Sequence, residues 1–300
     1  MLKIKAFLCF LVFFAPFSVA QQSFFPIWGE EAEARGYTLP KPYGISLSYM
    51  DMSNPVTVDS IKLMGHPVLD AIDIDARYAD FKGTNVTLRG DVWIFPFMNL
   101  YGIIGYTEGT STANINSLHC DASSLSDLAN KALCLLLDTA GENLPDNATF
   151  QLDMDGGTYG IGTTLAGGVG NWFALVDINY TNTNIAAIDG NIKTFVAAPR
   201  AGYRWEFDGG RELRVFAGAM YQDVQQELSG SLKSLNLPPQ IVDLIDTLSP
   251  DASFAVSQSA DENWNGILGF QYAFNRDWDI LMEAGFGERE TLFIALGRRF

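Results

Sequence analysis

Cysteine is scarce in this 300-residue chain, with three residues, and histidine is scarcer, with two. His66 and His119 are therefore the whole supply of imidazole bases, and neither falls beside a serine at strand height, which argues against hydrolysis. Basic residues are also few, 19 against 35 acidic, for a net charge of −16, and they form no cluster. A phosphate backbone needs such clusters to release its counterions, so nucleic acid is excluded as a partner. After residue 20 no apolar run reaches 18 residues, and that removes helical membrane spans.

What is present begins with a three-zone leader. Lys3 and Lys5 precede an apolar run from Ala6 to Ala15, and Ser18-Val19-Ala20 supplies small residues for cleavage after Ala20. Pro16 interrupts the run short of the roughly 20 residues that a spanning helix needs. Residues 1–20 therefore read as a signal peptide that exports the chain. Cys9 leaves with it, so Cys120 and Cys134 remain as a pair in an oxidising compartment, where a disulfide between them is expected. Closing that loop of about 15 residues is worth roughly 3 kcal/mol in the chain-entropy model.

The exported part alternates with period two. Trp172, Ala174, Val176, Ile178 and Tyr180 interleave with Phe173, Leu175, Asp177, Asn179 and Thr181, and Trp264 to Phe274 repeats the pattern with aromatics near both ends. Segments of about ten residues suit tilted strands crossing a bilayer, and terminal aromatics suit its two interfaces. Connections alternate as well: short near Phe97 to Asn99, Val169 to Gly170, Asp208 to Gly210 and Asn275 to Asp277, long over about 109–155 and 225–261. The expected fold is all-β, a transmembrane antiparallel up-and-down β-barrel of about 12 strands with short helices in long outer loops. Strands are placed near 43–51, 55–64, 70–81, 86–96, 100–108, 157–168, 171–182, 191–206, 212–224, 262–274, 278–286 and 290–300, with ten or fourteen as alternatives. Domain limits follow as 1–20 signal peptide, 21–42 periplasmic N-terminal segment or lumen plug, and 43–300 barrel.

The last strand places Leu292, Ile294 and Leu296 on one face before a terminal Phe300. This ending resembles the C-terminal strand of Gram-negative outer-membrane β-barrel proteins. Arg298 departs from the pattern, since an apolar or aromatic residue is usual two before the end. The resemblance implies residence in the outer-membrane bilayer and recognition by the barrel-assembly machinery; it reaches the general class and no named subfamily.

With the apolar face toward lipid, the opposite face lines the lumen: Asp73, Asp75, Arg77, Arg89, Asp91, Asp177, Arg200, Arg204, Glu206, Arg214, Asp279 and Glu283. Two arrangements are open. Acidic Asp73, Asp75 and Asp91 could face basic Arg200, Arg204 and Arg214 across a pore and set a transverse field, or the charges could pair into a network that fills a small lumen. Apolar residues also fall on the inward face, namely Trp93, Phe95, Phe173, Leu175, Phe216, Met220, Ile267 and Phe293, and require a cover or a hydrophobic ligand. Two stripes at near-helical spacing could serve as lids: Leu118, Leu125, Leu128, Ala132, Leu136 and Leu137, and Ile241, Leu244, Ile245 and Leu248. From the periplasmic side, Phe24 to Trp28, followed by Glu30 to Arg35, either plugs the lumen or merely hangs there.

No catalytic residue, metal site or cofactor is expected. Asp153 and Asp155 lack a distal Glu at calcium-loop spacing, and the glycines from 160 to 170 lack the helix that a phosphate cradle needs. The functional expectation is a channel or transporter for a small solute, lipophilic solutes included. The alternatives are a non-conducting barrel with a binding or envelope-structural role and, third, a lipid-modifying enzyme.

Overall fold

The computed structural model describes residues 24–142, 149–186, 189–232, 249 and 251–300. The segment read as a signal peptide, residues 1–20, and the second stripe, Ile241 to Leu248, lie outside them. Thirteen strands are described: β1 (Tyr43–Met64), β2 (Ile72–Asp75), β3 (Tyr78–Phe95), β4 (Met98–Asn114), β5 (Ser117–Cys120), β6 (Thr149–Val169), β7 (Trp172–Ile185), β8 (Asp189–Phe207), β9 (Arg211–Ser231), β10 (Ser253–Ala260), β11 (Trp264–Ala273), β12 (Trp278–Phe286) and β13 (Glu290–Arg299). Three helices accompany them: α1 (Gly29–Ala34), α2 (Pro67–Asp70) and α3 (Leu128–Glu142). Eleven strands form one antiparallel sheet that closes when β1 pairs with β13 on one edge and β3 on the other. The fold is the expected antiparallel barrel.

Strand boundaries differ from the expectation at the start of the barrel. Residues 43–64 form one strand, without a turn after 51, and residues 78–95 form another, without a turn at 82–85. Asn54-Pro55 has the chemistry of a turn, yet it sits in mid-strand. The ladder to β13 ends at Ser53 and the ladder to β10 begins at Val56, so Pro55 stands where the missing N–H is needed least. Gly83 is likewise no turn residue. It pairs with Gly109 across the ladder, and a side chain on either would strike the Phe81 ring that packs over both.

These long strands make a barrel of two sections. In the lower one, β1, β3, β4, β6 to β9 and β11 to β13 form a ten-stranded ring. Above the ends of β11 to β13, β10 bridges from β9 to β1, and the ring narrows to eight strands. The apolar face switches sides between the sections. On β4, Leu100, Ile104 and Tyr106 point outward in the lower section, whereas higher up Ser111 and Ala113 are buried inside and Glu108 and Thr110 face out. On β9, outward Leu213, Val215 and Tyr221 give way to Asp223 and Glu227, while Val224 and Leu228 turn inward. A strand that leaves lipid for water must exchange its apolar face in this way.

The outward apolar belt is bounded by two aromatic rows. Tyr43 stacks with Phe300, and Trp172 packs against Tyr203, at the end that carries the short turns; Phe195, Tyr221 and Trp264 form a contiguous group at the other. Such girdles mark the two headgroup levels of a bilayer. Arg298, the departure in the terminal strand, lies over the Trp278 ring at 5.3 Å, a cation–π contact suited to that interface.

The eight-stranded section is filled rather than open. Phe254 is fully buried among Val56, Phe81, Phe150, Leu152, Met154 and Val256. Leu69 and Ala76 of the β1–β3 connection join the same core, sealing the outer mouth. Beside it a loop unit forms around β2 paired with β5, with α2 and α3 packed near by. Cys120 and Cys134 form the expected disulfide there, with Cα atoms 5.4 Å apart, among Val68, Leu125 and Leu137. The stripe is only partly a packing face: Leu128 and Leu136 are exposed. A C120S/C134S variant should lose roughly 3 kcal/mol of restraint on this loop. Limited proteolysis should then cut between 121 and 133 faster, while the barrel keeps its folded mobility on unheated gels; unfolding of the whole barrel would contradict the loop's separateness.

Candidate functional site

The ten-stranded section encloses a cavity of about 1270 Å³ that runs from the turn residues Phe97 and Gly170 to Val224 and Gln226 beneath the apolar core. Its walls are the inward faces of the strands, and Trp93, Phe173, Leu175, Phe216, Met220 and Phe293 all line it. Ile267 is buried, and Phe95 is covered by Trp28, with ring centroids 4.9 Å apart. Trp28 belongs to the N-terminal segment, which is tied down by backbone bonds from Ile27 N–H to the Ile94 carbonyl and from Trp93 N–H to the Pro42 carbonyl, both 2.8 Å. Glu31, Arg35, Tyr37 and Leu39 of that segment also line the cavity.

Of the charged residues assigned to the lumen, three lie elsewhere. Asp73 and Asp75 belong to β2 in the outer loop unit, and Arg77 is exposed and donates to Asp75 at 3.1 Å. The acidic half of the transverse-field arrangement therefore does not form. The misplacement follows from reading 70–81 as one barrel strand, when the alternation Ile72, Ile74, Ala76 packs a loop onto the apolar core. His66 stands in the outer loop, where its Nδ1 caps α2 by accepting from Val68 N–H at 3.3 Å.

The remaining charges meet partners. Asp91 accepts from Arg299 at 2.7 Å and from Asn99 at 2.5 Å. Arg89 donates to Asn99 at 2.9 Å, lies over the Tyr101 ring at 3.6 Å and comes within 3.8 Å of Asp177. Asp177 accepts in turn from Tyr101 and Thr164, each at 2.7 Å. Arg200 grips Glu283 with two bonds of 2.7 and 3.1 Å. Arg204 pairs with Glu206 at 3.1 Å and lies 3.9 Å from Glu212, which also pairs with Arg214. Gln271 joins this group to Asp279, accepting from Arg214 at 3.1 Å and donating to Asp279 at 2.7 Å.

This band is a set of short bridges, most of them between neighbouring strands and the longest, Arg200 to Glu283, between strands three steps apart in the ring. Sequence reading missed Arg299, Glu212, Asn99, Tyr101 and Gln271; alternation alone places them all inward, but partners 8 to 208 positions apart become visible only in the register.

The ladder is interrupted beside β8. The β8–β9 ladder skips Ala198 and Pro199, and Pro199 has no N–H to donate. Outside this gap a groove in the lipid-facing surface is lined by Ala174, Val176, Pro199, Ala201, Ala217 and Ala219. Ala166, Leu175 and Arg200 line both this groove and the inner cavity.

No protein-family model matches the chain, and neither does any curated protein. Solved structures similar to it include the transport unit of the autotransporter AIDA-I from Escherichia coli (11% identity, 86% of this chain and 90% of that one, TM-score 0.37). The outer membrane protein OprG from Pseudomonas aeruginosa is another (8% identity, 87% and 98%, TM-score 0.35), as is the Pseudomonas putida toluene transporter TodX (10% identity, 86% and 88%, TM-score 0.31). The closed sheet and its two aromatic girdles make the architecture of this chain that of an outer-membrane β-barrel.

Proposed function

We propose that the protein is an outer-membrane transporter for a small solute with an apolar body, which enters the lumen through the wall beside Pro199 and leaves past the N-terminal segment into the periplasm. The observation that carries this reading is the coincidence of an outer end filled by side chains with a cavity that shares wall residues with a lipid-facing groove. A filled eight-stranded section offers water and ions no axial path. The lower cavity is large enough for a drug-sized molecule, and its mixture of aromatic walls and a few fixed polar groups is the usual make-up of a small-molecule site. In this reading the segment from Phe24 to Pro42 is a periplasmic plug held by backbone bonds at Ile27 and Pro42 and by contacts of Lys41 with Asp277 and Arg299, and its displacement releases the solute.

Refolded protein should be electrically silent in a planar bilayer and yet should speed uptake of a neutral lipophilic dye into liposomes. Ala201→Trp, which fills the outer groove without touching the lumen face, should return uptake toward the protein-free rate. Steady ionic conductance, or uptake that ignores Ala201→Trp, would overturn the lateral route.

A further inference from the structure

We propose that the solute carries a carboxylate and that Arg289 is the group that receives it. The proposal rests on the transport reading above and gives its substrate a chemical class. Arg289 stands in the turn between β12 and β13, is 2% exposed, and lines the cavity. No described residue gives its Nε, Nη1 or Nη2 a hydrogen bond. In this it differs from Arg89, Arg200, Arg204, Arg214 and Arg299, each of which has a protein acceptor.

A buried guanidinium without a partner is costly, because its hydration is lost with nothing in exchange. The turn that carries it is nevertheless held in place by built features. Asn265 donates from Nδ2 to the Arg289 carbonyl at 2.7 Å, and Gly287 takes a φ of +134° where a Cβ would lie 2.4 Å from Asn265 Oδ1. The turn is thus shaped to aim a charged fork inward, and the missing partner is one that enters from the cavity.

The chemistry of that partner follows from the surroundings. A guanidinium matches a planar carboxylate with two parallel hydrogen bonds. Thr291 and Phe293 continue inward from the turn, with Met52 and Met50 opposite them across the ladder. One cation among such walls balances one negative charge and leaves space for an apolar body, which favours a monocarboxylic acid over inorganic phosphate or sulfate.

The test compares 4-phenylbutyrate with its uncharged amide by calorimetry on the mature protein in lipid nanodiscs. The acid should bind about tenfold tighter or better, the range expected of a charge-assisted bond. Arg289→Gln should abolish the preference and Arg289→Lys should restore part of it. Because the unoccupied guanidinium is a burden, Arg289→Gln should also fold as well as the unmodified chain, which separates lost binding from lost structure. Equal affinity for acid and amide, or a preference that survives Arg289→Gln, would overturn the proposal. So would inorganic phosphate competing as strongly as the acid. If the neutral dye is still taken up while the acid shows no preference, the carboxylate assignment alone fails. If neither compound binds and the dye is not taken up, the transport reading fails with it.

Discussion

Glu283→Ala should cost about 3–5 kcal/mol of unfolding free energy, the range for removing one member of a buried ion pair. Glu283 is on β12 and Arg200 is on β8, with β9 and β11 between them in the ring, so their two hydrogen bonds span the lumen instead of following the sheet. The side chains are 6% and 15% exposed, and the Phe216 ring lies 5.8 Å from the Arg200 guanidinium. Without Glu283 the hydrogen bond left to the cation among the described residues is that to the Ala198 carbonyl at 3.2 Å. Urea unfolding of the refolded protein, followed by tryptophan fluorescence and by gel mobility, measures the loss. Replacing both partners, Arg200→Met with Glu283→Leu, should recover most of it, because no charge then remains buried. A Glu283→Ala barrel as stable as the unmodified one would mean that the pair is hydrated and holds nothing together.

That strut marks the boundary of what the sequence discloses. Arg200 and Glu283 were both legible as inward residues, because alternation with lipid-facing neighbours fixes a side chain's face once the strand is recognised. That the two meet across the lumen depends on how many strands separate them, and residues 43–95 concealed that number. Within 55–64, Asp59 and Lys62 interrupt the alternation of a lipid-facing strand for a physical reason. That segment stands above the bilayer, where the outside is wet and Val56, Ile61 and Leu63 belong to the inner core. A reading that assumes one solvent along each strand cannot place such a switch.

The disulfide was legible from compartment and count, since two exported cysteines leave one pairing. Arg289 was not, for a reason that also carries information. It lies in a turn between Gly287 and Glu290, the composition of an exposed loop, and alternation has no purchase on turn residues. The position is interior because β10 bridges β9 to β1 above the ends of β11 to β13, and Arg289 lines the cavity below. The same bridge divides the barrel into its filled and hollow sections, so the device that closes the outer mouth also sets the upper limit of the solute cavity.

Leu268→Arg should weaken the membrane-inserted barrel by about 2–4 kcal/mol, the cost of a basic side chain at mid-depth on a lipid face. Leu268 is 54% exposed on β11, between Trp264 at one girdle and Phe274 at the other, with Ala217 and Ala284 as its ladder partners. None of these neighbours offers a counter-charge, and hydrocarbon offers no hydrogen bond. Gln271→Arg, three positions along the same strand, faces Asp279 and the Glu212–Arg214 pair inside the lumen, so the new cation gains a carboxylate in place of an amide bridge. The two variants add the same group to the same strand and differ only in the solvent they meet. Folding yield in lipid vesicles, titrated with urea, should therefore collapse for Leu268→Arg and stay near the unmodified value for Gln271→Arg. Equal yields would overturn the assignment of faces on which the cavity, the groove and the Arg289 site all depend.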